Sequence, residues 1–213
     1  MRAVSDIRAV LWDFGGVITT SPFEAFARYE RDNSLPADFI RGLNAANHHE
    51  NAWAKFERSQ VPFDEFCDLY EAEAVAAGHV IDARAVIGCL SGDVRPEMVA
   101  ALRAIKDGGF KQACLTNNFF RFDDAQTARA RSPIMDLFDV VVESSVIGIR
   151  KPEPRFYEIA CEELGISPSE AVMLDDLGVN LKPAREMGIR TIKVLDAPQA
   201  LAELSDVLGI PLV

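Results

Sequence analysis

No apolar run in this chain approaches the ~18 residues of a membrane-crossing helix, so neither a transmembrane segment nor a membrane partner is expected. The N-terminus, MRAVSDIRAVLWDF, lacks a basic stretch leading into an apolar one with a small-residue cleavage site, and the expected location is therefore the cytoplasm. Cysteine is sparse. Cys67, Cys89, Cys114 and Cys161 stand in unrelated contexts without a Cys-x-x-Cys pair, which excludes a disulfide framework or a zinc site. Bases are in deficit: 22 Lys and Arg face 33 Asp and Glu, and the net charge of -11 opposes contact with a phosphate backbone. Nucleic acid is excluded as a partner on that ground, and the basic residues form no stripe that would override it. Internal repeats and low-complexity tracts are also missing. What remains is a chain of 213 residues, 49% hydrophobic, long enough to bury a core without metal or disulfide.

Short apolar runs that end in polar residues punctuate the chain: RAVLWDF (8–14), FKQACLTNN (110–118), FDVVVESS (138–145), AVMLDD (171–176) and RTIKVL (190–195). They read as buried strands. Helical spacing fills the intervals, as in RPEMVAALRAIKDGG and in PEPRFYEIACEELGI, where Pro154 opens a helix and Gly165 ends it. Strands alternating with helices predict an α/β fold with a parallel, Rossmann-like sheet. Residues 21–90 break the alternation. Aromatics recur there at helical spacing (Phe23, Phe26, Trp53, Phe56, Phe63, Phe66, Tyr70), and Pro36 and Pro62 divide the stretch. The expected organisation is a core made of 1–20 and 91–213, with an all-helical cap inserted at 21–90.

Ligands of open parallel sheets bind beyond the carboxyl ends of the strands. Those ends carry Asp13, Thr116-Asn117-Asn118 and Asp175-Asp176, with Lys151 shortly after the third run. Two or three carboxylates with a few neutral oxygens suit Mg²⁺, which favours one or two carboxylates, water and substrate phosphate. A lysine, a hydroxyl and backbone N–H groups suit the phosphate. A carboxylate beside both could act as a nucleophile.

At these positions the sequence resembles the haloacid dehalogenase-like hydrolases. The nucleophile of that superfamily falls on Asp13 in AVLWDFGGVIT, and its phosphate-binding hydroxyl and adjacent amide fall on Thr116 and Asn117 in ACLTNN. Its charge-neutralising lysine falls on Lys151 in IRKPEPRFY. In MLDDLGVNLKPAREMG, Asp176 with Asp175 would hold Mg²⁺, together with Asp13 and the Gly15 carbonyl, and Asn180 would orient the loop. The 21–90 insertion resembles the type 1 cap. Finer features (WDFGGV, LTNNF, DDLGVNLKPAREMG) are most similar to the phosphatase-type domain fused to the N-terminus of soluble epoxide hydrolase and to its stand-alone relatives. With the chain ending at Val213, no fused epoxide hydrolase domain is expected. The resemblance implies a Mg²⁺-dependent phosphatase acting on a small phosphorylated metabolite through an aspartyl-phosphate. A metal-independent haloacid dehalogenase and a catalytically weak phospholigand-binding protein are the alternatives on the same scaffold.

One departure is chemically important: phosphatases of the superfamily read Asp-x-Asp, and the second Asp, a general acid and base, is Gly15 here. Such assistance is worth roughly 10²–10⁴ in rate. Three consequences are open: a preference for good leaving groups, a replacement acid at Thr19, Thr20 or the His48-His49-Glu50 cluster, or lost catalysis with retained binding. Phe119, Phe120 and Phe122 are candidates for pocket lining or cap packing, and Arg121 and Arg155 for contact with an anionic substrate or for exposed ion pairs.

Overall fold

The computed structural model describes residues 7–118 and 133–212; Phe119, Phe120, Arg121 and Phe122 lie outside them. Five strands, β1 (Ala9–Trp12), β2 (Lys111–Thr116), β3 (Val140–Glu143), β4 (Ala171–Asp175) and β5 (Arg190–Lys193), form one sheet in the order β3-β2-β1-β4-β5. Every pairing is parallel, and Trp12 stands level with Cys114 on one side and Leu174 on the other. All strand carboxyl ends therefore share one rim. β1 is central and fully buried, which is why its sequence is continuously apolar rather than alternating.

The two sheet faces are covered separately. Val10, Trp12, Cys114 and Leu174 pack with Met98, Leu102 and Ile105 of α6 (Pro96–Asp107) and with Leu201 and Leu204 of the last helix, α10 (Ala197–Leu208). On the other face Leu11, Leu115 and Met173 meet Phe156, Tyr157 and Ala160 of α8 (Pro154–Leu164) and Leu181 and Ala184 of α9 (Gly178–Glu186). Pro154 and Gly165 bound α8 as the sequence predicts, Gly165 taking the left-handed conformation at φ 63°. The third apolar run is shorter as a strand than expected. It ends at Glu143, and Ser144–Ile147 turn into a short helix, α7, because the Ser144 hydroxyl bonds both the N–H and the carbonyl of Asn118 and pulls the chain toward β2.

The insertion is helical, with α1 (Phe23–Asp32), α2 (Phe39–Ala45), α3 (Ala52–Glu57), α4 (Phe63–Ala76) and α5 (Ala83–Gly88). It has its own core, in which Phe66 stacks between Phe56 (centroids 4.3 Å apart) and Tyr70 (5.3 Å). The expected aromatic bundle is thus what the helices build. The two chain crossings into this cap run side by side, tied by Thr20 N–H to the Asp93 carbonyl at 2.8 Å and by an antiparallel bridge from Thr19 to Val94. The four cysteines are thiols. Among the described residues no helix is long and apolar enough to cross a membrane.

Candidate active site

Asp13 follows the last residue of β1 and remains anchored to the sheet by its N–H, which donates to the Leu174 carbonyl at 2.9 Å. Its Oδ1 accepts from the Phe14 N–H at 2.7 Å, and the Thr19 N–H closes the wide turn Phe14–Ile18 onto the Phe14 carbonyl. The glycine pair within this turn has two distinct jobs. Gly16 takes φ 79°, and a Cβ built on it would stand 2.3 Å from Asp176 Oδ2. Only glycine lets the turn lie against that carboxylate. Gly16→Ala is therefore expected to displace Asp176 and lower activity by about 100-fold, the scale of a 1 Å misplacement, as steady-state kinetics would show. Gly15, by contrast, is exposed at φ -71° and ψ 129°, with no atom within 4 Å of an added Cβ.

Lys151 is 1% exposed and its ammonium bridges two carboxylates, Asp13 Oδ1 at 2.8 Å and Asp175 Oδ2 at 2.8 Å. It is a buried cation rather than a solvated loop lysine. Asp175, fully buried, has both oxygens engaged: Oδ1 accepts from the Leu177 N–H and Asn180 Nδ2, and Oδ2 from Lys151 Nζ and Asn180 Nδ2. Asn180 is itself held by the Tyr157 hydroxyl, which donates to its carbonyl at 2.7 Å. Asp176 is more open, and carboxylate oxygens of Asp13, Asp175 and Asp176 lie within 4.8 Å of one another.

Three acids around one ammonium leave uncompensated negative charge in a largely buried site. Burial pushes the Asp13 carboxyl up to about 8 despite the opposing pull of Lys151, with Asp175 and Asp176 raising it further. Burial and the Asp175 charge bring Asp176 to about 6. For Lys151 burial acts downward, but the two carboxylates outweigh it and hold the ammonium charged. An all-oxygen donor set with surplus negative charge fits a hard divalent cation, and Asp13 and Asp176 are the carboxylates with capacity to hold one.

Thr116 and Asn117 stand at the same rim. Thr116 ends β2, half-buried, next to Asn117. The Asn117 amide closes a reciprocal pair on the Lys151 main chain: Nδ2 donates to its carbonyl at 3.0 Å and Oδ1 accepts its N–H at 2.9 Å. Sequence reasoning assigned Asn117 to phosphate through its backbone amide and missed this use of the side chain, which no local pattern announces. Among the replacement acids, the Thr19 hydroxyl is directed to the carbonyls of Phe14 (3.5 Å) and Thr20 (3.3 Å), while Thr20 Oγ1 accepts the Asp93 N–H. His48 is half-buried, its ring tilted at 40° against that of His49 with centroids 4.0 Å apart; burial, His49 and Arg150 hold its imidazole below the usual range. Arg155 forms exposed ion pairs with Glu158 and Glu162 on its own helix.

Comparison with known proteins shows the family. A mouse protein, acyl-CoA dehydrogenase family member 10, is 33% identical over 211 residues, covering 96% of this chain and 19% of its own length. Mouse bifunctional epoxide hydrolase 2 is 31% identical, with 95% of this chain and 39% of that protein aligned. The chain thus spans well under half of these relatives. A sesquiterpene phosphatase, astK, from Aspergillus oryzae is 28% identical and matches nearly end to end, 95% of this chain against 97% of its own. A haloacid dehalogenase-like enzyme from Bacteroides thetaiotaomicron, solved in complex with magnesium and inorganic phosphate, shares the fold at TM-score 0.59 and 19% identity, over 88% of this chain and 93% of that one. The profile of the haloacid dehalogenase-like hydrolases matches residues 7–188, and the chain belongs to that hydrolase family.

Proposed function

We propose that this hydrolase is a Mg²⁺-dependent phosphomonoesterase that acts on a small phosphorylated metabolite by way of a phosphorylated Asp13. The observation that carries this reading is the buried Lys151 ammonium shared between Asp13 and Asp175, with Asp176 alongside at an open rim. Such a site has too much negative charge to receive an anion unaided, and too many oxygen donors to be left without a cation. Phosphatase relatives support it, astK by sequence along the whole chain and the magnesium- and phosphate-bound enzyme by fold.

In this reading residues 1–20 and 91–213 form the catalytic core, 21–90 the cap, and the protein works in the cytoplasm. Asp13, Asp176 and the Gly15 carbonyl would hold the metal, with Asp175 serving mainly to anchor Lys151. Mg²⁺, when bound there, supplies positive charge to the phosphoryl oxygens and lowers the proton affinity of Asp13. Lys151, Thr116 and the Asn117 N–H bind and orient the phosphate. A carboxylate oxygen of Asp13 attacks phosphorus in line; the new Asp13–phosphorus bond forms as the bond to the leaving alkoxide breaks, and the alkoxide takes its proton from water. Water then attacks phosphorus, the bond to Asp13 breaks, and inorganic phosphate leaves with the carboxylate restored.

A panel of phosphorylated metabolites tests the assignment. Phosphate release that stops in EDTA and returns with Mg²⁺ is expected. Chloride release from 2-chloropropionate in EDTA would replace the reading with a dehalogenase, and tight phosphate binding without turnover would replace it with a binding protein. The electrostatics add a measurement that needs no substrate. Folding raises the Asp13 and Asp176 pKa values, so the metal-free folded protein holds protons that the unfolded chain releases, and this stability, full below about pH 4, is lost as pH rises toward 8. Mg²⁺ competes with those protons. Its addition is expected to raise the unfolding temperature by about 5 °C at pH 8 and by much less at pH 5.5.

A further inference from the structure

Cap and core meet beside Lys151 through charges that cross over. On the cap side stand Glu57, the last residue of α3, and Arg58, which follows it; on the core side stand Arg150 and Glu153, which flank Lys151. Arg150 Nε donates to Glu57 Oε2 at 2.5 Å, and Arg58 Nε and Nη2 both donate to Glu153 Oε1, at 3.0 and 2.8 Å. Each side thus contributes one acid and one base. The spare guanidinium donors grip one cap loop: Arg150 Nη1 reaches the His48 carbonyl at 2.7 Å and Arg58 Nη1 the His49 carbonyl at 2.8 Å. Trp53 Nε1 fixes the other Glu57 oxygen at 2.9 Å, and Ser59 Oγ donates across to the Ser145 carbonyl at 2.9 Å.

These pairs differ in kind from the surface pairs of α8. Side-chain exposure is 8% for Glu57, 11% for Arg58, 12% for Arg150 and 34% for Glu153, against about half for Arg155. Exposed pairs contribute little, whereas losing one member of a desolvated pair strands its partner. A guanidinium fork also sets direction, which an apolar contact does not. Lys151 lies between the two core members, and its main chain is already held from below by Asn117. Its segment is therefore gripped from both sides, by the core through Asn117 and by the cap through Glu57 and Arg58.

We propose that Glu57, Arg58, Arg150 and Glu153 are positioning residues: a clamp that docks the cap over the Lys151 segment and sets the ammonium for the phosphate. The inference rests on the phosphatase reading for its kinetic consequence, but the clamp itself is measurable without turnover. Arg58→Glu places like charges against Glu153, and Arg58→Glu combined with Glu153→Arg restores opposite ones. The single reversal is expected to lower kcat/KM for p-nitrophenyl phosphate about 100-fold, with kcat carrying much of the loss, and to speed amide hydrogen exchange at 47–51 and 58–60. The double reversal is expected to recover both to within about five-fold, the coupling that a double-mutant cycle isolates. A single reversal that leaves rate and exchange within two-fold of the parent overturns the clamp, as does a folded double reversal no better than the single. Should Arg58→Glu fail to fold, Glu153→Gln carries the same comparison with an expected loss of about ten-fold. If the parent protein releases no phosphate from any ester while the exchange pattern follows the reversals, the clamp stands and the phosphatase reading alone fails.

Discussion

Asp13→Asn is expected to lower kcat for phosphomonoesters by at least ~10⁴, the scale on which removing a nucleophile acts in covalent catalysis. Asparagine keeps the shape of the side chain and an oxygen to accept from the Phe14 N–H and from Lys151, so the turn after β1 should stand as before. What it loses is the charge, and with it the attacking oxygen. Stability should move the opposite way to activity. Asp13 is one of three crowded carboxyls and its proton affinity is pushed up by burial, so a neutral amide relieves repulsion in the metal-free protein. The unfolding temperature of the variant without Mg²⁺ at pH 8 should equal or exceed that of the parent, while its response to Mg²⁺ should shrink. Stopped-time phosphate release gives the first quantity and thermal denaturation the second. A variant that retains parental turnover rules out Asp13 as nucleophile, whatever its stability.

Gly15→Asp is the second large effect, and here a gain is expected. Position 15 has an ordinary extended backbone and is exposed, with open space where a Cβ would go, so an aspartate enters without displacing anything. Its carboxyl would be supplied at the place where superfamily phosphatases carry their acid and base. Alkyl phosphates, whose alkoxide must be protonated as it departs, should gain roughly 10²–10⁴ in kcat. p-Nitrophenyl phosphate, which leaves as a stabilised phenolate, should gain less than about ten-fold in the same assay. The ratio between the two substrates is the informative number, because a general improvement in folding or binding would lift both. Equal and fast turnover of alkyl esters by the parent, with no gain in the variant, would mean that another group already delivers the proton. His48→Ala with His49→Ala would then identify or eliminate the cap loop as its source. The low proton affinity of His48 suits a base better than an acid at neutral pH, and the Thr19 hydroxyl is turned to backbone carbonyls.

The contrast between Gly15 and Gly16 shows how far sequence reading reaches. As letters they are an undifferentiated pair after Asp13, and attention falls on Gly15 because a superfamily acid is missing there. In the fold Gly16 is the constrained one, pressed against Asp176 at a positive φ, whereas Gly15 is free to vary. The same holds at the third segment. Lys151 before Pro152 reads as a loop lysine, and its role comes only from resemblance; burial at 1% exposure between two carboxylates is a property of the assembled rim. The strand expected over 138–145 stops at Glu143 for a similar reason, since the Ser144 hydroxyl finds its partners in Asn118, just past the neighbouring strand β2, rather than in its own segment.

By itself the sequence determined the parallel α/β core, the helical character of the insertion and the rim on which Asp13, Thr116, Asn117, Asp175 and Asp176 meet. Those follow from local chemistry: strands buried on both faces are short apolar runs, and parallel pairing sends all their carboxyl ends to one edge. Tertiary structure alone decided which charges neutralise one another there. The bridge from Lys151 to Asp13 and Asp175, the Asn117 grip on the Lys151 main chain and the crossed pairs from Glu57 and Arg58 to Arg150 and Glu153 join distant segments, the last two across 93 and 95 positions. No periodicity encodes such partners. They are chosen by where two chain crossings set a helical cap on a sheet, and by the cost of leaving any of those buried charges alone.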